Sequence, residues 1–256
     1  MTDLIDAHCH LQDERVRPEL DNIMKRAKDS GVVKMVLCGT CEKDWPEILN
    51  VKEKYPDMAI LSFGLHPWYV KDRPSSWFEK LEKFIREYPA GVGEIGLDFA
   101  IQNVDVEEQK EVFLKQLELA LKYKRPVSIH CRKAHEALID ILENKGPFEN
   151  GGIIHSYSGS AELIKRFCGL GFSISFSCSI TRSGNKKGRN TLKSVPLENL
   201  VLETDSPDIL PAGWAGLNEP ANLILVVKTA AGLLNLSEEE IARITSNNTK
   251  KIFGNL

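Results

Sequence analysis

Several things are scarce in this 256-residue chain, and each shortage narrows what it can be. No apolar run approaches the roughly 18 residues that a membrane span needs, and no basic stretch followed by an apolar one opens the chain. Positive charge is in deficit: 33 Lys and Arg face 36 Asp and Glu, a net charge of −3. No global field therefore draws nucleic acid, and any polyanion must be met by a local patch. Paired cysteine motifs are missing too. Six cysteines (Cys9, Cys38, Cys41, Cys131, Cys168 and Cys178) are scattered, and Cys38-Gly39-Thr40-Cys41 has no second pair to complete a zinc site. Scattered thiols suit a reducing compartment, so a cytoplasmic protein with no membrane partner is expected. Linkers, low-complexity tracts and a Gly-rich phosphate loop after the first apolar run are also absent.

What is present is a regular alternation. Short β-rich runs follow the opening one at Val32–Cys38, Met58–Leu65, Ala90–Ile95, Pro126–His130, Gly151–His155, Phe172–Phe176 and Asn199–Thr204. Between them, apolar residues switch to helical spacing. Leu20, Ile23, Met24 and Ala27 form one stripe; Trp77, Leu81, Phe84 and Ile85 a second; Phe113, Leu117, Ala120 and Leu121 a third. Ala134, Ala137, Leu138 and Ile141 repeat it, and Leu223, Val226, Val227, Ala230 and Leu234 mark a late helix. Ser237 and Glu240 read as a capping box opening one more. Strand–helix repetition implies a parallel α/β sheet. Eight repeats in a chain of about the length that a barrel needs predict a single (β/α)8 TIM barrel spanning residues 1–256.

The opening strand ends in His8-Cys9-His10, and side chains two apart on a strand share a face, so both imidazoles can reach one ion. Alone that pattern is weak. The other strand ends bring His66, Glu94, His130, His155 and Asp205, so five of the six histidines fall at such positions. A barrel gathers those ends on one rim, where active sites are built. His8, His10, Glu94, His130, His155 and Asp205 are therefore the expected metal ligands. Six exceed what one tetrahedral ion uses and imply two divalent ions sharing a bridge. Glu94 is the expected bridge, with His8, His10 and Asp205 on one ion and His130 and His155 on the other. Asp6 and Glu203, two residues earlier on the same strand faces, are expected to support the ligands from one layer deeper.

The motifs Asp6-x-His-x-His10-Leu, Gly64-Leu-His-Pro67, Gly93-Glu-Ile-Gly-Leu-Asp98, Pro126-Val-Ser-Ile-His-Cys-Arg132, His155-Ser-Tyr-Ser-Gly159, Leu202-Glu-Thr-Asp-Ser-Pro207 and Asn218-Glu-Pro220 run in order through nearly the whole chain. Together they resemble the TatD family of metal-dependent deoxyribonucleases, amidohydrolase-like enzymes on a TIM barrel. The resemblance carries the six ligands over onto the positions above and makes His66 a further active-site residue. It implies hydrolysis of DNA phosphodiester bonds by a water activated between two ions, with Asp205 also accepting its proton. Ester or amide hydrolysis by the same centre, such as D-aminoacyl-tRNA deacylation, is the alternative. Lys133 and Ala215-Gly216-Leu217 depart from family habit at the substrate rim.

On the substrate side, the stretch from Thr181 to Lys193 carries five basic residues in thirteen. Arg182, Lys186, Lys187 and Arg189 are expected to track phosphates, with His66 and Arg132 nearer the chemistry. Trp68, Tyr69 and Trp214 are candidates to stack on unpaired bases, which would favour single strands or DNA ends as substrate. Family members are usually described as magnesium-dependent, whereas four imidazoles favour zinc or manganese on softness. Metal identity, exo- or endonucleolytic action and oligomeric state stay open at this level.

Overall fold

Every β-rich run forms a strand, and all pair parallel in sequence order. The structure, a computed structural model, describes residues 3–102 and 105–256. Its order is β1 (Leu4–Cys9), α1 (Leu20–Asp29), β2 (Val32–Cys38), α2 (Trp45–Lys54), β3 (Ala59–Phe63), α3 (Trp77–Glu87), β4 (Ala90–Asp98), α4 (Val106–Tyr123) and β5 (Val127–Arg132). There follow α5 (His135–Lys145), β6 (Gly152–Ile154), α6 (Ala161–Gly169), β7 (Phe172–Phe176), α7 (Lys186–Leu192), β8 (Leu200–Leu202), α8 (Leu223–Leu234) and α9 (Glu238–Phe253). This is a TIM barrel, as the alternation predicts.

The strands read as near-continuous apolar runs because helices cover the outside and side chains fill the inside. Helices bury the faces that their spacing predicts: Ile23, Met24 and Ala27 on α1, Trp77, Leu81 and Ile85 on α3, and Phe113, Leu117 and Ala120 on α4. On α5 the buried residues are Leu138, Ile139 and Leu142, with Ala137 and Ile141 of the expected stripe only partly buried beside them. Ser237 and Glu240 form the expected reciprocal cap on α9. Phe253, at the end of α9, packs in one buried cluster with Val36, Ile60 and Val201 of the strands. Among the described residues no single helix is long and apolar enough to cross a membrane.

Two joints in the barrel differ from the expectation. β4 and β5 run on to Asp98 and Arg132, past the predicted ends at Ile95 and His130, with Gly96 paired to His130 and Asp98 to Arg132. Gly96 permits this: its φ is +145°, and a Cβ there would lie 2.0 Å from the His130 carbonyl oxygen. At the closing joint β8 is short. Asp205 N–H donates to the His8 carbonyl at 3.1 Å and His10 N–H to that of Ser206 at 2.7 Å. The Asp6 carboxylate accepts from Thr204 N–H at 2.9 Å and Thr204 Oγ1 at 2.5 Å. A carboxylate thus stands in for missing ladder bonds.

Candidate metal centre

The six expected ligands meet at the carboxyl ends of the strands, where all but the fully buried His8 line a cleft of about 660 Å³. Glu94 is 3% exposed and central. Its Oε2 lies 3.3 Å from both His8 Nε2 and His10 Nε2. Its Oε1 lies 2.9 Å from His130 Nδ1 and 2.9 Å from His155 Nε2. Asp205 Oδ1 is 3.6 Å from His10 Nε2 and 3.9 Å from His8 Nε2. Ligand atoms about 2.0–2.2 Å from a shared ion lie roughly 3–3.5 Å apart, so these separations have the scale of coordination shells.

The other nitrogen of each ring shows what faces the centre. His10 Nδ1 donates to the Cys38 carbonyl at 2.7 Å, which leaves the Nε2 lone pair pointing inward in the neutral ring. His155 Nδ1 is held by Glu203 Oε1 at 3.2 Å, and Glu203 is itself fixed by Ser156 N–H and Ser175 Oγ. His8 Nδ1 pairs with Ser128 Oγ at 2.8 Å. His130 turns its Nε2 to Asp98 Oδ2 at 3.3 Å and offers Nδ1 to the centre. Lone pairs and carboxylate oxygens so crowded together need positive charge between them, as protons or as cations. The donor set fits divalent metal. Burial would lower His10 and His155, but the carboxylates of Glu94, Asp205 and Glu203 outweigh it and raise both well above the usual imidazole range. Burial alone would raise Glu94, and the imidazoles of His66, His155 and His8 reverse that, holding it well below the ordinary carboxylate range. Burial opposes Asp205 likewise, yet the His10 hydrogen bond and neighbouring imidazoles bring it to about 2. Asp205 also has a left-handed backbone, φ 58°, a strain that aspartate tolerates better than most residues.

His66 behaves differently. Its Nδ1 accepts from Trp68 N–H at 3.1 Å, so the proton of the neutral ring sits on Nε2, 3.2 Å from Glu94 Oε1. Burial holds this ring down at about 4. His66 therefore presents a donor where the others present lone pairs, although its position would also let it complete a three-residue group with Glu94 and His130.

The expected substrate residues separate. Arg132 lines the cleft. Arg182, Lys186, Lys187 and Arg189 are not among its lining residues. Arg182 donates to the Leu210 carbonyl, Lys187 to that of Ser158 and Arg189 to that of Ile180. The other basic groups at the cleft come from the loops after β1 and β2: Arg15, Arg17 and Lys43. Arg15 is clamped between Asp13 and Asp208, and Arg17 pairs with Glu47. Among the described residues, Lys43 and Arg132 form no ion pair. Asp98 is a site residue that sequence reasoning passed over. Burial would raise its carboxyl, but hydrogen bonds from His130 and Trp68 hold it at about 2. Its signal was its place four residues after Glu94, on the same strand face.

A parallel eight-stranded barrel that gathers imidazoles and carboxylates at its strand ends has the architecture and donor set of a metal-dependent hydrolase. The family model described as TatD related DNase matches residues 5–254, and the chain belongs to this family of hydrolases acting on ester bonds. A Bacillus subtilis protein named as an uncharacterized metal-dependent hydrolase, YabD, is 33% identical, the match covering 98% of each chain. The human deoxyribonuclease TATDN3 is 29% identical over 99% of this chain and 95% of its own. The crystal structure of the Escherichia coli TatD homologue YJJV superposes with a TM-score of 0.93 at 31% identity, covering 98% of both chains.

Proposed function

We propose that the chain, acting as one domain over residues 1–256, is a deoxyribonuclease that hydrolyses phosphodiester bonds with two divalent cations bridged by Glu94. The observation that carries this reading is the division of Glu94: Oε2 faces His8 and His10, and Oε1 faces His130 and His155. His8, His10 and Asp205 would hold one ion, and His130 and His155 the other. When bound, such ions supply Lewis acidity, which activates water and offsets charge on the phosphoryl oxygens. The imidazole count favours zinc or manganese, and magnesium remains the family habit.

The chain's own groups do the rest. Asp205, ionised at neutral pH, accepts the proton of the attacking water. His66 donates from Nε2 toward a phosphoryl oxygen. Arg132, unpaired at the cleft wall, meets a phosphate of the substrate strand. Cys38, Glu203 and Asp98 keep the imidazoles of His10, His155 and His130 from turning. Glu94 lies at the floor of the cleft, so a scissile phosphate must descend to reach it. A single strand or a frayed end can do so, whereas a stacked duplex keeps its backbone at the rim. The six free cysteines, most of them buried, support a cytoplasmic setting.

The test is cleavage of a fluorescent single-stranded oligonucleotide after reconstitution with Mg²⁺, Mn²⁺ or Zn²⁺ in turn, with D-aminoacyl-tRNA as the competing substrate. Glu94→Gln should lose both ions and all cleavage, while His66→Ala keeps its metal and loses rate. Equal metal content in the two variants would remove Glu94 from the bridging role.

A further inference from the structure

The chain has four tryptophans, and they divide cleanly. Trp45 and Trp77 are 1% and 6% exposed and pack helices onto the sheet. Trp68 and Trp214 are 55% and 52% exposed. Of these two, Trp68 lines the cleft that holds the ligands. It does not hang loosely there. Its indole N–H donates to Asp98 Oδ2 at 2.8 Å, and its backbone N–H donates to His66 Nδ1 at 3.1 Å. The indole stands edge-on to the His66 ring, with centroids 5.0 Å apart and planes at 84°. Its polar edge is pinned while more than half of its surface faces solvent beside the metal centre. Packing does not account for so exposed a ring, and its hydrogen bonds fix where its face is offered.

We infer that Trp68 is a stacking platform for one unpaired nucleobase of the substrate strand, and that it sets the position of the neighbouring phosphate over Glu94. The inference rests on the phosphodiesterase reading above and names the form of substrate that the cleft takes. Every base has a π-face, so the contact tolerates any sequence. It does require a face not already covered by neighbours, which a duplex interior lacks and a strand end or single strand provides. The coupling to the reacting end is short. Trp68 touches His66, whose Nε2 is 3.2 Å from Glu94, and Asp98, whose carboxylate orients His130. A base seated on the indole therefore holds its phosphate within a nucleotide's length of both.

The experiment compares a short oligothymidylate with a base-free deoxyribose-phosphate strand of equal length, using the manganese-reconstituted enzyme and its Trp68→Ala and Trp68→Phe variants. Steady-state kinetics are read alongside fluorescence-anisotropy binding to each protein in chelator. The wild type should favour the base-bearing strand by about 10- to 100-fold, in KM and in Kd more than in kcat. Trp68→Ala should erase most of that preference. Trp68→Phe, which keeps a face but lacks the N–H, should retain most of it. Equal KM and Kd for the two strands in the wild type would overturn the inference while leaving the phosphodiesterase reading intact. A Trp68→Phe enzyme as impaired as Trp68→Ala would overturn it too, because the indole would then matter only through Asp98. If the wild type cut neither strand, the phosphodiesterase reading would fail by itself, and the anisotropy ratio would still decide whether Trp68 takes a base.

Discussion

The β4–β5 joint and the β8–β1 joint both carry candidate ligands, yet they are held by different means. At β4–β5 the backbone ladder shifts register between Val92 and Ile95, where Glu94 lies with its N–H on the Gly39 carbonyl, and then runs on to Asp98 and Arg132, so His130 sits on paired strands. At β8–β1 the ladder gives way to single bonds around His8, His10 and Asp205, with the Asp6 carboxylate as clasp and the Arg15–Asp208 pair above it. A barrel can thus place ligands either by strand pairing or by side chains that replace it. The first should fail when the backbones are pushed apart, the second when a single polar group is removed.

The strongest way to break this contrast is Gly96→Ala. A methyl group aimed at the His130 carbonyl forces the ladder open, at a cost of at least about 3 kcal/mol. Calorimetry should show Tm falling by roughly 6 °C or more, and metal should be lost from the His130 and His155 side. A normal melting curve would show that the ladder is not what holds His130. Next comes Asp6→Ala, which strands the buried donors of Thr204 and costs about 2–4 kcal/mol. Here the ion on His8, His10 and Asp205 should be the one lost, and metal analysis should count one ion remaining rather than none. Arg15→Ala sharpens the same joint at its surface. Exposed ion pairs contribute about 0–1 kcal/mol, so Tm should move by no more than about 2–3 °C and metal content should not change. Loss of the ion in this variant would transfer the clasp from Asp6 to the rim.

A pH-dependent effect lies at the start of α5. Burial, aided by Lys187 and His130, holds His135 down at about 4. A neutral ring in the fold and an ordinary one when unfolded means that the unfolded chain binds the extra proton between about pH 6.5 and 4. Stability from this residue is thus present above that window and lost as pH falls through it. Urea titrations at stepped pH should show a shallower acid-side decline in His135→Gln; an unchanged slope would show that the ring titrates alike in both states.

The two joints were not equally legible in the sequence. His8, His10, Glu94, His130, His155 and Asp205 could be read because their types and their places after apolar runs are one-dimensional facts. Asp6 and Glu203 were readable by parity along a strand. The extension to Asp98 was not, because it depends on how closely β4 approaches β5 at Gly96. The donor character of His66 depends on the Trp68 backbone N–H, and no residue pattern announces that bond. The placement of the loop at 181–193 was hidden for a related reason. Its charges are visible in sequence, but the carbonyls of Leu210, Ser158 and Ile180 that receive Arg182, Lys187 and Arg189 are not.

The closing joint also orders events in time. Asp205 reaches His8 across almost the whole chain, and Ile5 N–H donates to Ser246 Oγ from 241 residues away. Closing so long a loop adds only a logarithmic entropy cost, but it cannot begin until the distant partner has been made. A chain emerging from the ribosome, grown only as far as β7, already carries five of the six candidate ligands. It has neither Asp205 nor the Thr204 donors that Asp6 clasps. One half of the centre is therefore written early and the other completed late, so no complete centre exists until the segment after β8 has been made.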